Sequence, residues 1–173
     1  MINRYLEKLF YWKIFNKNWN KPKNLIEYLI KKGFICIGQG WYSTTYTLPN
    51  SSYVIKINSG DFDYGYAYYI DICLKYYTPY NHLPKILKYK KYNFDKGQNF
   101  YFVLLPKYTQ YPIMDYETDD IKNIRNNLFS FCPVLEKTID TSLYGFDICK
   151  ENILIDNNGN LILSDIILSK RNR

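Results

Sequence analysis

Three oxygen-bearing side chains near the end of the sequence are spaced so that they could share one small volume. Asp147 and Asn152 lie five positions apart, and Asp165 follows 13 residues after Asn152. Between Asn152 and Asp165 run two short aliphatic stretches, Ile153-Leu154-Ile155 and Leu161-Ile162-Leu163, joined by a segment containing Asn158-Gly159. That pattern is hairpin chemistry. A hairpin returns its end to near its start, so Asn152 and Asp165 are expected to face one another, with Asp147 on the loop before them. Hard divalent cations prefer oxygen ligands. Such a trio could hold one and leave a carboxylate to take a proton from a hydroxyl. Three surface turn residues would account for the same letters, because Asp and Asn are frequent in turns.

A second group lies upstream. Gly38-Gln39-Gly40-Trp41-Tyr42-Ser43 is followed by Lys56 at the end of Val54-Ile55-Lys56. Two glycines between strands let backbone N–H groups approach phosphates closely, and a lysine on the next strand reaches them as a point charge. A tight turn explains two glycines equally well. The order gives the group its weight: glycine turn, lysine strand, helix, further strands, then the Asp/Asn/Asp set.

The elements that must position these residues follow from periodicity. Residues 2–15 read as an amphipathic helix with Leu6, Leu9, Phe10, Ile2 and Ile14 inward and Glu7, Lys8 and Lys13 outward. A second helix is expected over 24–32, with Leu25, Leu29 and Ile26 inward and Gly33 at its C-terminal cap. From Phe34 the period changes. Strands are expected over 34–38, 41–47 and 53–57, a helix within 62–77, and strands over 85–92 and 99–105 around a turn at Asp95-Lys96-Gly97. The second half reads as helices over 117–130 and from Pro133 to about Leu143, then the hairpin. The expected fold is α+β: an antiparallel N-terminal sheet with one inserted helix, then a short, mostly helical second lobe carrying the hairpin. Its divisions are 1–32, 33–105 and 106–173.

Composition bounds the partners. The chain has 173 residues and a net charge of +7, from 23 basic and 16 acidic residues, which suits phosphates and acidic surfaces without choosing among them. The 20 tyrosines are expected to be half-buried packing residues. The four cysteines show no C-x-x-C spacing and His82 is the only histidine. Neither a zinc site nor a Cys–His or Ser–His pair is expected unless His82 is the base, and free thiols in a reducing cytosol fit the cysteines. No apolar run approaches the ~18 residues of a membrane span, and the first residues lack a signal-peptide pattern. A cytoplasmic protein with no membrane partner is expected. Nucleic acid would rest on charge alone.

Taken together, these residues resemble the protein-kinase superfamily. Gly38, Gly40 and Ser43 match its glycine-rich loop, with Thr45 at the valine position, and Lys56 matches the lysine of V-A-I-K. Asp147 and Asn152 match the catalytic loop, and Asp165 matches the aspartate of D-F-G. More narrowly, the stretches Gly38-x-Gly40-x-x-Ser43-x-x-Tyr46, Val54-Ile55-Lys56, Phe146-Asp147-x-x-x-x-Asn152-Ile153 and Ile162-Leu163-Ser164-Asp165 look like the small early Ser/Thr kinases of lytic bacteriophages. The resemblance runs from about Phe34 to Ser169. It implies a minimal bilobal fold holding ATP and Mg²⁺, with Gly38, Gly40, Ser43 and Lys56 at the phosphates. Asn152 and Asp165 would sit on the metal, and Asp147 would accept the substrate proton. Residues 103–108, including Leu105 and Lys107, look like the hinge that receives adenine. The implied partner is a protein substrate, of the host cell if the chain is viral.

The match has gaps. Gly145 and Phe146 stand where the family has His and Arg, Cys149 stands at its lysine, and Asp165-Ile166-Ile167 replaces D-F-G. No glutamate follows Lys56 in the expected helix; Asp71 is the substitute partner, with Asp63 second. Eight residues follow Asp165, so no phosphorylation-ordered activation loop is expected. The expected activity is ATP-dependent transfer to protein Ser or Thr. The alternatives are a pseudokinase that binds a host protein and a small-molecule phosphotransferase, the latter disfavoured by a second lobe too short to build a substrate pocket.

Overall fold

The computed structural model describes residues 4–40, 42–59, 64–78, 82–93, 99–112 and 119–170. Asp63 and the turn expected at 95–97 lie outside them. The chain forms two compact units, Met1–Phe62 with Ile86–Lys107, and Asp63–Lys85 with Tyr108–Arg173. The class is α+β, with an antiparallel N-terminal sheet, as expected.

The first unit is built on five antiparallel strands: β1 (Ile35–Gln39), β2 (Ser43–Thr47), β3 (Tyr53–Ser59), β4 (Lys88–Asn93) and β5 (Asn99–Pro106). Their spatial order is β1-β2-β3-β5-β4. One face is covered by α1 (Arg4–Asn16) and α2 (Pro22–Lys31). Tyr11, Ile14 and Phe15 of α1 and Leu25 and Leu29 of α2 share a core with Ile55, Ile57, Phe100 and Phe102. Pro22 opens α2, where a missing N–H costs nothing, and Gly33 closes it with φ +83°, a conformation that favours glycine.

The inward face of α1 differs from the expected one. Leu9 is exposed, whereas Glu7 is buried. The reason is polar: the Ser51 hydroxyl donates to Glu7 Oε1, and Tyr11 Oη lies 2.8 Å from Ser51 Oγ. This network ties α1 to the β2–β3 connection and rotates the helix so that Glu7, Tyr11 and Ile14 point inward. Burial also raises the Tyr11 phenol above its ordinary range, with the Glu7 charge adding to the effect. Because α1 and α2 complete the core of the sheet, Leu29→Ala should remove about 2–4 kcal/mol of stability. Chemical denaturation followed by circular dichroism would show it, and a loss below ~0.5 kcal/mol would mean that α2 is only an appendage.

The second unit contains α3 (Tyr64–Tyr76), which lies in sequence between β3 and β4, together with α4 (Asp119–Asn126), α5 (Leu128–Phe131) and α6 (Pro133–Thr138). The helix expected over 117–130 is two pieces. Asn127 Nδ2 donates to the Asn123 carbonyl at 2.9 Å, and the backbone turns there. The helix expected to reach Leu143 stops at Thr138, where β-branched Ile139 is extended and Asp140 takes the Ser142 N–H at 2.9 Å in a side-chain turn.

Among the described residues, five short strands complete this unit. Besides the hairpin of β8 (Ile153–Ile155) and β9 (Leu161–Leu163) there are β6 (Thr109–Gln110), β7 (Tyr144–Phe146) and β10 (Ile167–Ser169). β6 extends the hairpin into three strands, and β7 pairs with β10. The hairpin turns at Gly159, φ +81°, with Asp156 accepting the N–H groups of Asn158 and Asn160. No helix among the described residues is long and apolar enough to cross a membrane.

Candidate functional site

The loop from Asp147 to Asn152 is fixed by its own backbone. Asp147 leaves β7, and its N–H donates to the Ile166 carbonyl at 2.9 Å. Ile148 is buried and pins the next position. A single 3₁₀ turn, Lys150–Asn152, then leads into β8. Asn152 Nδ2 donates to the Asp147 carbonyl at 3.0 Å and to Asp147 Oδ2 at 3.2 Å. The Ser164 N–H donates to the Asn152 carbonyl at 2.7 Å. Asp165 is therefore bracketed: its predecessor is bonded to Asn152 and its successor to Asp147. The hairpin brings Asp147, Asn152 and Asp165 together, as the spacing implied.

With its amide nitrogen committed to Asp147, Asn152 keeps Oδ1 as an acceptor atom. Asp165 adds carboxylate oxygens. Magnesium takes one or two protein oxygens and fills its remaining positions with water and substrate phosphates, so this donor pair fits it. No cluster of three or more His, Cys, Asp or Glu that could hold a metal occurs among the described residues, which leaves no all-protein cage of that kind.

Asp165 is not followed by a hinge. Ile166 and Ile167 are fully buried, and Ile167 already pairs with Phe146 in β10. On the other side, α3 packs beside this segment, and the Tyr69 hydroxyl donates to the Leu163 carbonyl. Burial drives the Tyr69 phenol well above its ordinary range, with the Cys73 and Cys132 thiols and then the Asp165 charge adding to the effect. Cys149, two residues after Asp147, is pushed up to about 11, first by burial and then by the Asp147 charge. Its thiol is neutral at pH 7 and supplies no charge. Asp71 lies on the exposed side of α3.

In the first unit, Lys56 lies mid-strand on β3, opposite Thr45 of β2 and Val103 of β5, and is buried. The glycine turn is closed by Gly40 N–H donating to the Ser43 carbonyl at 2.8 Å. Neither Gly38 nor Gly40 has a positive φ, and a Cβ at either would meet nothing closer than 3.8 Å. The turn therefore does not require glycine. Leu105 is buried near the end of β5, and the Lys107 N–H donates to the Ser52 carbonyl at 2.8 Å.

Among solved structures, the chain is similar to a viral kinase. That structure is PK-1 of the Cydia pomonella granulovirus, with 16% identity and a TM-score of 0.46. The match covers 83% of this chain and 58% of that one, so the chain spans less than two thirds of that kinase's length. No family model and no curated protein matches the chain.

The structure also reveals residues that sequence spacing does not. Arg125 of α4 donates through Nη2 to the Ile148 carbonyl at 3.1 Å, bracing the loop one residue beyond Asp147. Asn58 is buried on β3, two residues beyond Lys56. Neither belongs to a motif; only the packing of α4 and the alternation of β3 place them. His82, considered as a base, is a scaffold residue. Its Nδ1 lies 2.9 Å from the Leu161 carbonyl, and its own carbonyl accepts the Leu163 N–H at 2.8 Å.

The glycines carry their own prediction. Gly40→Ala should leave stability unchanged or raise it by under ~1 kcal/mol. If the turn lies against phosphates, the same change should weaken ATP binding about tenfold. Melting curves and calorimetry on the one variant separate the two effects, and unchanged ATP affinity would return the glycines to an ordinary turn.

Proposed function

We propose that this chain transfers the γ-phosphoryl group of ATP to Ser or Thr hydroxyls of a protein. One observation carries the reading: Asn152 is bonded to both the carbonyl and the carboxylate of Asp147, while the neighbours of Asp165 are bonded to Asn152 and Asp147. A metal-ligating pair and a proton acceptor are thereby fixed to one another before any substrate arrives. Phosphoryl transfer needs mainly positioning and charge neutralisation, so a small site suffices.

In this reading the glycine turn and Lys56 hold the triphosphate oxygens, and Leu105 and Lys107 flank the adenine. Asn152 and Asp165 hold magnesium, which when bound neutralises phosphate charge. Asp147 orients the substrate hydroxyl. The hydroxyl oxygen bonds to the γ-phosphorus, the bond from that phosphorus to the bridging oxygen breaks, ADP leaves with the electron pair, and Asp147 receives the proton. The resemblance of the motif stretches to lytic-phage kinases makes a cytoplasmic host protein the expected substrate.

The test is incubation of the full chain with γ-labelled ATP, Mg²⁺ and bacterial lysate, with calorimetry of Mg·ATP alongside. Label on Ser or Thr supports the reading. Binding without transfer would put the pseudokinase reading in its place, and absence of both rejects a nucleotide site.

A further inference from the structure

Asn58 is fully buried, and neither Nδ2 nor Oδ1 has a hydrogen-bond partner among the described residues. Native proteins pair nearly all such groups, and a primary amide brings two donors and an acceptor oxygen that all require partners. The fold gives no reason for an amide here. Asn is depleted in strands, and Val54, Ile55 and Ile57 on the same strand are buried aliphatic residues.

The position of Asn58 supplies the reason. Side chains alternate along β3. Ile55 and Ile57 enter the core beneath α1 and α2, so Lys56 and Asn58 project together from the opposite face. In the register of β2, Thr45 lies opposite Lys56 and Ser43 lies opposite Asn58. Ser43 closes the glycine turn through its carbonyl. Asn58 therefore occupies the rung between Lys56 and the turn, on the face that bears the lysine.

We infer that Asn58 is a phosphate-binding residue, its Nδ2 donating to an oxygen of the triphosphate that Lys56 and the glycine turn hold. The inference rests on the phosphotransferase reading above and adds a donor that no motif marks. It also explains why an unpaired amide is kept in the strand: the ligand is its partner.

Calorimetry of the full chain with Mg·ATP and with Mg·tripolyphosphate tests this, comparing wild type with Asn58→Leu and Asn58→Asp. Asn58→Leu removes the unpaired amide, so it should melt no lower than wild type without ligand, yet bind both ligands at least about tenfold more weakly. Asn58→Asp keeps the shape, loses the donor and adds a negative charge, so it should bind more weakly still; it decides the matter if the leucine variant does not fold. Wild-type affinity in both variants would overturn the role of Asn58 and leave the proposed function standing. A loss seen for ATP and not for tripolyphosphate would move Asn58 away from the phosphates and overturn the inference. A wild type that binds neither ligand overturns both readings.

Discussion

Asp147→Ala should slow phosphoryl transfer by about 10²–10⁴-fold, the usual worth of a positioned general base, while Mg·ATP affinity stays within about twofold. The loop survives the change because its anchors are not the carboxylate. The bond from N–H 147 to the Ile166 carbonyl, the bond from Asn152 Nδ2 to carbonyl 147, the Arg125 bond to carbonyl 148 and the burial of Ile148 all persist. The 3.2 Å bond from Asn152 Nδ2 to Asp147 Oδ2 is lost. Stability should therefore fall by no more than about 1 kcal/mol. Initial rates, a melting curve and a nucleotide titration on the same preparation check all three points. A variant that transfers phosphate at the wild-type rate would show that the proton goes elsewhere.

Asp165→Ala should act on binding instead. Removing the carboxylate is expected to weaken ATP on the order of 100-fold in magnesium and by much less in EDTA, because the loss falls on the metal-dependent part of the affinity. The segment should hold its course, since Ile166 and Ile167 remain buried and β10 remains paired with β7. Calorimetry with and without magnesium gives the comparison. An equal loss in both conditions, or unfolding of the variant, would make Asp165 a scaffold residue and remove the metal from the reading. The two isoleucines after Asp165 are each held, Ile166 by burial and by the Asp147 N–H on its carbonyl and Ile167 by its pairing in β10, so the backbone beside the carboxylate is set by the fold itself, with no glycine to swing it.

Much of this was legible because it depends on neighbours in sequence. Runs rich in aromatic and β-branched residues gave β2, β3 and β5, Gly33 ended α2, and the Asn-Gly connection gave the hairpin that sets Asn152 against Asp165. Contacts that helical and strand periodicity do not encode decide the rest. Glu7 looks like an outward residue of α1, but Ser51 and Tyr11 draw it inward. Helix α6 ends early because Asp140 offers the backbone a turn. Strands β7 and β10 are each three residues long. Strands that short carry little periodicity, and they form because each supplies the other's hydrogen bonds.

By itself, the sequence settled the kinds of chemistry available and the local elements that carry them: oxygen donors at hairpin spacing, a lysine mid-strand, two glycines in a turn. Residue type and short-range geometry are sufficient for that. Only the tertiary structure decided that those glycines are not needed by their turn, that Arg125 braces the loop beyond Asp147, and that Asn58 is buried without a side-chain partner among the described residues. Each of these is a matter of what lies within a few ångströms in space, and spacing along the chain does not encode that.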